Sequence, residues 1–194
     1  MSKEIRIATC GTSLTYQGDY FNLWQRQVER GLREGKQSIA RIYNFGENGA
    51  DSAIGLTFLY RALQTRPEIV VLEYNMNDAY IARSISVAQA QANHLNMISQ
   101  LRANDPNVKI CLMIMNAPVA GGLYPVSDRV NWAAYAQNYR DICAADSQLT
   151  LIDLAPGWVG ATTTDIPDGV HPTKTAVSTR SVPTMISSLR PLIS

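Results

Sequence analysis

The chain has little of what marks a metalloprotein, a membrane protein or a nucleic-acid binder. Cysteine occurs three times, at Cys10, Cys111 and Cys143, far apart and with no CxxC pair. So scattered a set argues against a disulfide framework or a cysteine-built zinc site, and reduced thiols with no metal are expected. Charge of one sign is lacking too, since 17 basic residues stand against 16 acidic ones for a net +1. That balance leaves no electrostatic footprint for nucleic acid or an anionic membrane, and neither is expected as a partner. The N-terminal MSKEIRIATC holds no apolar run of leader length, and no segment could span a bilayer. A cytoplasmic chain is the resulting expectation, with secretion of a larger or processed parent left open. No internal repeat, low-complexity tract or linker is found, so residues 1–194 are expected to form one domain.

What is present is ordinary for a folded core: 46% apolar residues and 17% charged ones. Apolar runs of strand length recur at Ile5–Ala8, Ile39–Tyr43, Ile69–Tyr74, Lys109–Met115 and Leu149–Leu154. Helical patterns fall between them at Phe21–Glu34, Ser52–Gln64, Ser86–Ala103 and Val130–Ala145, with a last one from Thr173 to about Leu189. This alternation predicts parallel βαβ units and an α/β sandwich with a helix layer on each sheet face. Runs such as Ile69-Val70-Val71-Leu72 are apolar at consecutive positions, as strands covered on both faces should be. Ligands of such sheets bind beyond the carboxyl ends of the strands. The loops that matter are therefore 9–20, 44–52, 75–85, 116–129 and 155–172.

The first strand ends in a small, polar stretch, Cys10-Gly11-Thr12-Ser13, and the last loop carries Asp168-Gly169-Val170-His171-Pro172. An Asp three residues before a His can set its carboxylate on Nδ1, which leaves Nε2 free to accept a proton. Alone, that turn reads equally well as a helix cap. Ser13 supplies a nucleophile, Gly49 a backbone N–H with no side chain in the way, and Asn77 an amide donor. Acyl transfer needs this inventory of nucleophile, base, orienting acid and oxyanion donors. Cys10 is the competing nucleophile, but nothing near it in sequence lowers its pKa. Gly46-x-x-Gly49 could cradle a phosphate, yet it lacks a dinucleotide fingerprint and a Walker lysine. His94 shares a helix face with Val87, Ile98 and Leu101 and is expected to pack. Glu73, at a strand end, is expected to bond to the backbone or to Arg6, with no catalytic role.

In these blocks the sequence resembles the SGNH hydrolases, or GDSL-type esterases and lipases. Gly11-Thr12-Ser13-Leu14 is similar to their GDSL block, Asn44 to Gly49 to the glycine block, Asn77-Asp78 to the GxND block, and Asp168 to His171 to the DxxH block. The resemblance implies a flavodoxin-like α/β/α sandwich with five parallel strands in the order 2-1-3-4-5. It also implies Ser13 as nucleophile, His171 as base and Asp168 as its orienter, with no cofactor. The oxyanion donors would be the N–H groups of Ser13 and Gly49 and the Asn77 side chain. Two departures stand out: Thr12 replaces the family aspartate and Asn75 the family glycine. Both leave the reaction class intact and bear on substrate choice.

The long loop from Asn116 to Trp132 has the length of a binding loop or lid. Tyr16, Tyr20, Tyr80, Tyr124 and Trp158 fall on or near the expected rim, and Thr12, Asn75, Tyr124 and Trp158 are the candidate substrate contacts. Aromatics among polar neighbours suit sugar faces. The expected activity is that of a serine esterase removing small acyl groups such as acetyl, with an acylated carbohydrate or other small ester as partner. The alternative is a carbohydrate- or ligand-binding module without turnover. Oligomeric state is not assigned.

Overall fold

The computed structural model describes residues 4–16, 23–34 and 39–193. Five strands form one parallel sheet: β1 (Glu4–Gly11), β2 (Ile39–Gly46), β3 (Ile69–Glu73), β4 (Lys109–Ile114) and β5 (Leu149–Asp153). Their spatial order is β2-β1-β3-β4-β5, as the family resemblance implies. Every strand pair is parallel, and Gly11 stands in register with Gly46 on one side and Glu73 on the other. Strand order reverses at β1, so the crevice for a ligand lies above the ends of β1 and β3.

Alternation along the strands feeds two cores. Ile7, Ile42, Val71, Met113 and Ile152 pack one face against Trp24, Val28, Val177 and Met185. Those residues belong to α2 (Trp24–Arg33), α7 (Lys174–Arg180) and α8 (Val182–Leu189). Ala8, Val70, Leu72, Leu112 and Ile114 pack the other face against Leu59, Met97, Leu101, Tyr139 and Ile142. These lie on α3 (Ser52–Leu63), α5 (Val87–Asn104) and α6 (Trp132–Ala145). The result is the three-layer sandwich. Two one-turn helices, α1 (Ser13–Tyr16) and α4 (Asn75–Asp78), follow β1 and β3. No helix among the described residues is long and apolar enough to cross a membrane.

Local chemistry sets the helix ends. Asp51 and Ser86 cap α3 and α5 by accepting from Ile54 N (2.9 Å) and Gln89 N (3.1 Å). The last expected helix is two. Pro183 has no N–H to donate and its ring would clash with the carbonyl four residues back, so α7 ends at Arg180 and α8 restarts beyond Ser181. The 130–145 helix begins at Trp132, because 126–129 first forms a 3-10 turn. The expected start of α2 at Phe21 lies outside the described residues.

Candidate active site

The end of β1 turns directly into α1, which puts Ser13 at the first helical position. Thr12 holds the turn. Its N–H donates to Glu73 O (3.1 Å) and its hydroxyl to Glu73 Oε2 (2.8 Å). The same hydroxyl oxygen accepts from Leu14 N at 3.1 Å. The Ser13 N–H has no acceptor among the described residues, and neither has that of Gly49. Gly49 sits at φ +72°, a backbone state that disfavours any side chain.

Ser13 Oγ lies 2.8 Å from His171 Nε2. On the other side of the ring, His171 Nδ1 is 2.7 Å from Asp168 Oδ2. A carboxylate can only accept, so Nδ1 carries the proton and Nε2 presents its lone pair to the serine hydroxyl. Asp168 Oδ1 also accepts from the Val170 and His171 amides at 2.9 and 2.7 Å. Partial burial would raise the Asp168 carboxyl, but these two amides and the imidazole outweigh it and hold the acid below the ordinary range. The turn itself is held from outside by the long loop, through Val119 N to Gly169 O (2.9 Å) and Tyr124 N to Asp168 O (2.8 Å). Gly169 is needed there: at φ +90° a Cβ would meet the carbonyl oxygens of Tyr124 and Val119 at 2.6 and 2.9 Å. This loop is therefore a fixed wall, and the Tyr124 ring meets the imidazole edge-on at 5.7 Å.

Asn77 projects from α4, with Nδ2 donating to Ala50 O at 2.8 Å. An amide nitrogen has a second hydrogen, and Asn77 also lines the depression over Ser13. Helix α4 is anchored from three sides. Asp78 accepts from Ser52 N (2.7 Å), Arg129 Nε donates to Met76 O (3.2 Å), and Tyr139 Oη accepts from Tyr74 N (2.8 Å). The Tyr139 hydroxyl then donates to His94 Nε2 (2.7 Å), whose Nδ1 bonds to Ala90 O (2.6 Å). Burial pushes His94 down to about 4. It is a packed, neutral histidine, as its helical position indicated.

Ser13, Gly49, Asn77, Tyr124 and His171 thus line one depression of about 350 Å³, together with Asn48, Tyr80, Arg83, Arg129 and Val170. Three candidate substrate contacts are corrected. Thr12 is fully buried on Glu73, and Asn75, the first residue of α4, is buried and does not line the depression. Trp158 is buried as well, donating to Ser181 Oγ at 3.1 Å, and it lines a separate hollow with Val119 and Thr162. Tyr16 faces a different groove beside Tyr43 and Phe45, and Tyr20 lies outside the described residues. Glu73 does meet a backbone amide, yet its main partners are the Thr12 and Thr15 hydroxyls. Arg6 pairs instead with Glu68 at 3.2 Å. The sequence reading missed Arg83 and Arg129, although both fall on strand-exit loops where a charged residue invites attention.

Residues 9–176 match the model of the GDSL-like lipase/acylhydrolase family. Among solved structures, TesA is similar at TM-score 0.76 and 26% identity, over 96% of this chain and 99% of its own. A lipase/acylhydrolase from Enterococcus faecalis gives 0.80 at 20% identity, over 98% and 97% of the two chains. The acetyl xylan esterase AlAXEase gives 0.77 at 18% identity, over 95% and 100%. At such identities the last two speak to the fold alone. No curated protein matches the chain.

Proposed function

Since the chain belongs to the GDSL-like lipase/acylhydrolase family of serine hydrolases, we propose that it cleaves short-chain esters of carbohydrates through a Ser13 acyl-enzyme. The observation that carries this reading is the continuous contact Asp168–His171–Ser13, at 2.7 and 2.8 Å. His171 Nε2 takes the hydroxyl proton as Ser13 Oγ attacks the ester carbonyl. The resulting oxyanion takes hydrogen bonds from the free N–H groups of Ser13 and Gly49 and from the second hydrogen of Asn77 Nδ2. Collapse of the tetrahedral intermediate breaks the ester C–O bond, and the imidazolium returns its proton to the departing alcohol. Water, deprotonated by the same nitrogen, then releases the acid and regenerates Ser13.

The short acyl preference rests on the lining. A volume of about 350 Å³ is near the lower end for ligand sites. Among the described residues Val170 is its only aliphatic wall; amides, two tyrosines and two arginines make up most of the rest. A long acyl chain would bury little apolar surface there. Tyrosine faces and amide groups suit a sugar.

The test is labelling by a fluorophosphonate together with turnover of p-nitrophenyl acetate, p-nitrophenyl decanoate and a panel of acetylated sugars. Wild type should label once and prefer acetyl esters, and Ser13→Ala should do neither. A folded protein that neither labels nor turns over any ester would be a binding module.

A further inference from the structure

The depression over Ser13 is one-sided in charge. Among the described residues its lining carries two guanidinium groups, Arg83 and Arg129, and no Asp or Glu. Asp168 stands behind His171 and is committed to it and to two amides.

Arg129 is the more telling of the two arginines, being only 6% exposed. Its guanidinium lies over the Tyr80 ring at 4.7 Å, and Nε donates to Met76 O at 3.2 Å. Nη1 is buried with no hydrogen-bond partner, and Arg129 forms no ion pair among the described residues. Burial weakens its hold on the proton, while the charges of Asp128, Tyr80, Tyr124 and Asp168 oppose that. A guanidinium taken out of water without a carboxylate is costly to the fold, and a bound anion would offset that cost.

Arg83 stands on the Gly49 side. A Cβ built on Gly49 would meet its Nη2 at 3.0 Å. Its Nε makes a loose ion pair with Asp51 Oδ2 at 3.8 Å, too far for a hydrogen bond, and accordingly is buried with no hydrogen-bond partner among the described residues. Asp51 is engaged elsewhere, capping α3 through Oδ1. Both guanidinium groups therefore keep unused donors beside the same depression as Ser13. A planar fork with spare N–H groups is the preferred protein partner of a carboxylate.

We infer that the substrate is an acetylated uronic acid, whose sugar carboxylate is held by Arg129 and Arg83 while its acetyl ester meets Ser13. This rests on the esterase reading above and adds the chemical class of the alcohol. The carboxylate belongs to the alcohol side because the volume beside Ser13 suits a small acyl group.

The test compares kcat/KM for an O-acetylated methyl glucuronide with that for its uronamide, which has the same size and no charge. Wild type should favour the anion by about tenfold or more, and high salt should shrink that preference. Arg129→Gln and Arg83→Gln should each bring the ratio towards one. Because the ratio is taken within each protein, a general loss of rate cancels. If Arg129→Gln fails to fold, Arg129→Lys and Arg83→Gln carry the comparison. A wild-type ratio near one overturns the inference, as does a ratio unchanged in both folded variants; in the latter case the arginines only hold α4 or face the oxyanion. A preference for mono-p-nitrophenyl succinate over p-nitrophenyl butyrate that Arg129→Gln and Arg83→Gln abolish would place the anion on the acyl side and overturn it too. Failure of the esterase reading looks different, since p-nitrophenyl acetate turnover and fluorophosphonate labelling would then be absent.

Discussion

The Glu73 carboxylate, at the end of β3, accepts a hydrogen bond from the Thr12 hydroxyl at 2.8 Å, one residue before Ser13. The same oxygen accepts from the Thr15 hydroxyl at 3.0 Å and the Thr12 amide at 3.2 Å. A carboxyl group is therefore present beneath the turn that carries Ser13, although the residue before the serine is a threonine. It comes from the neighbouring strand, and the hydroxyls of Thr12, before α1, and Thr15, within it, reach to it.

The first prediction concerns pH. Burial pushes Glu73 up to about 8 against the pull of its three donors, and the nearby Asp78 charge adds to the rise. A folded-state value above the unfolded one means a stability contribution that is full below the ordinary value of about 4.5 and lost as pH rises through about 8. Glu73→Gln removes that slope. The variant should melt below wild type near about pH 5, and the gap should narrow or reverse by about pH 9. Asp78, pushed up to about 7 mainly by burial, has the same sign but is present in both proteins. Thermal melts of the pair across this range decide it; a constant gap would show that Glu73 does not titrate there.

Cys10 gives the second. It is buried in β1, and burial pushes its thiol up to about 12, with no cation lowering it. Iodoacetamide should leave esterase activity intact, and Cys10→Ala should keep turnover within a few-fold at a lower melting temperature. Loss of fluorophosphonate labelling in Cys10→Ala, with Ser13→Ala still active, would make the thiol the nucleophile.

The third separates proton transfer from orientation. His171→Ala removes the base, whereas Asp168→Asn keeps the imidazole and favours the wrong tautomer. Each should lower kcat by about 10³–10⁴ with little change in KM, and the double variant should be hardly worse than His171→Ala. Additive losses would make the 168–171 turn a cap for α7 and nothing more.

The sheet was legible because β3 and β4 are apolar on both faces and the segments between the strands keep helical spacing. The four site blocks were legible for a related reason: each sits where a strand ends, and strand ends share one edge of a parallel sheet. Facing direction was not legible. Thr12 precedes Ser13 and Asn75 stands two residues before Asn77, yet the turn after β1 and the helix α4 leave both side chains buried away from the depression. The Glu73–Thr12 bond depends on Gly11 standing beside Glu73, a register that no local pattern encodes. Arg129 escaped notice because a lone arginine in a polar loop looks solvated. Only the packing of Tyr80 and Met76 around it makes it a buried cation. Pro183 was readable as a helix break and was passed over inside a long apolar pattern.

Asn77 poses the last prediction, because in the proposed mechanism its side chain has two separable tasks. One Nδ2 hydrogen ties α4 to Ala50 O at 2.8 Å, next to Gly49. The other is available to an oxygen above Ser13. The first task is structural and exists before substrate arrives, while the second matters once the carbonyl oxygen carries charge. Asn77→Ala removes both. Its kcat should fall by about 10²–10³ with KM nearly unchanged, as expected for a donor used in the transition state. Its melting temperature should fall as well, since Ala50 O loses its partner and the net worth of such a bond is about 1 kcal/mol. Asn77→Asp separates the tasks differently, because a carboxylate cannot donate to Ala50 O and repels the forming oxyanion. It should be at least as slow as Asn77→Ala and no more stable. Steady-state kinetics and melting curves on both variants give the answer. A folded Asn77→Ala protein with a lower melting temperature and wild-type kcat would leave Asn77 only the tie to Ala50, and the oxyanion would have to rest on the Ser13 and Gly49 amides.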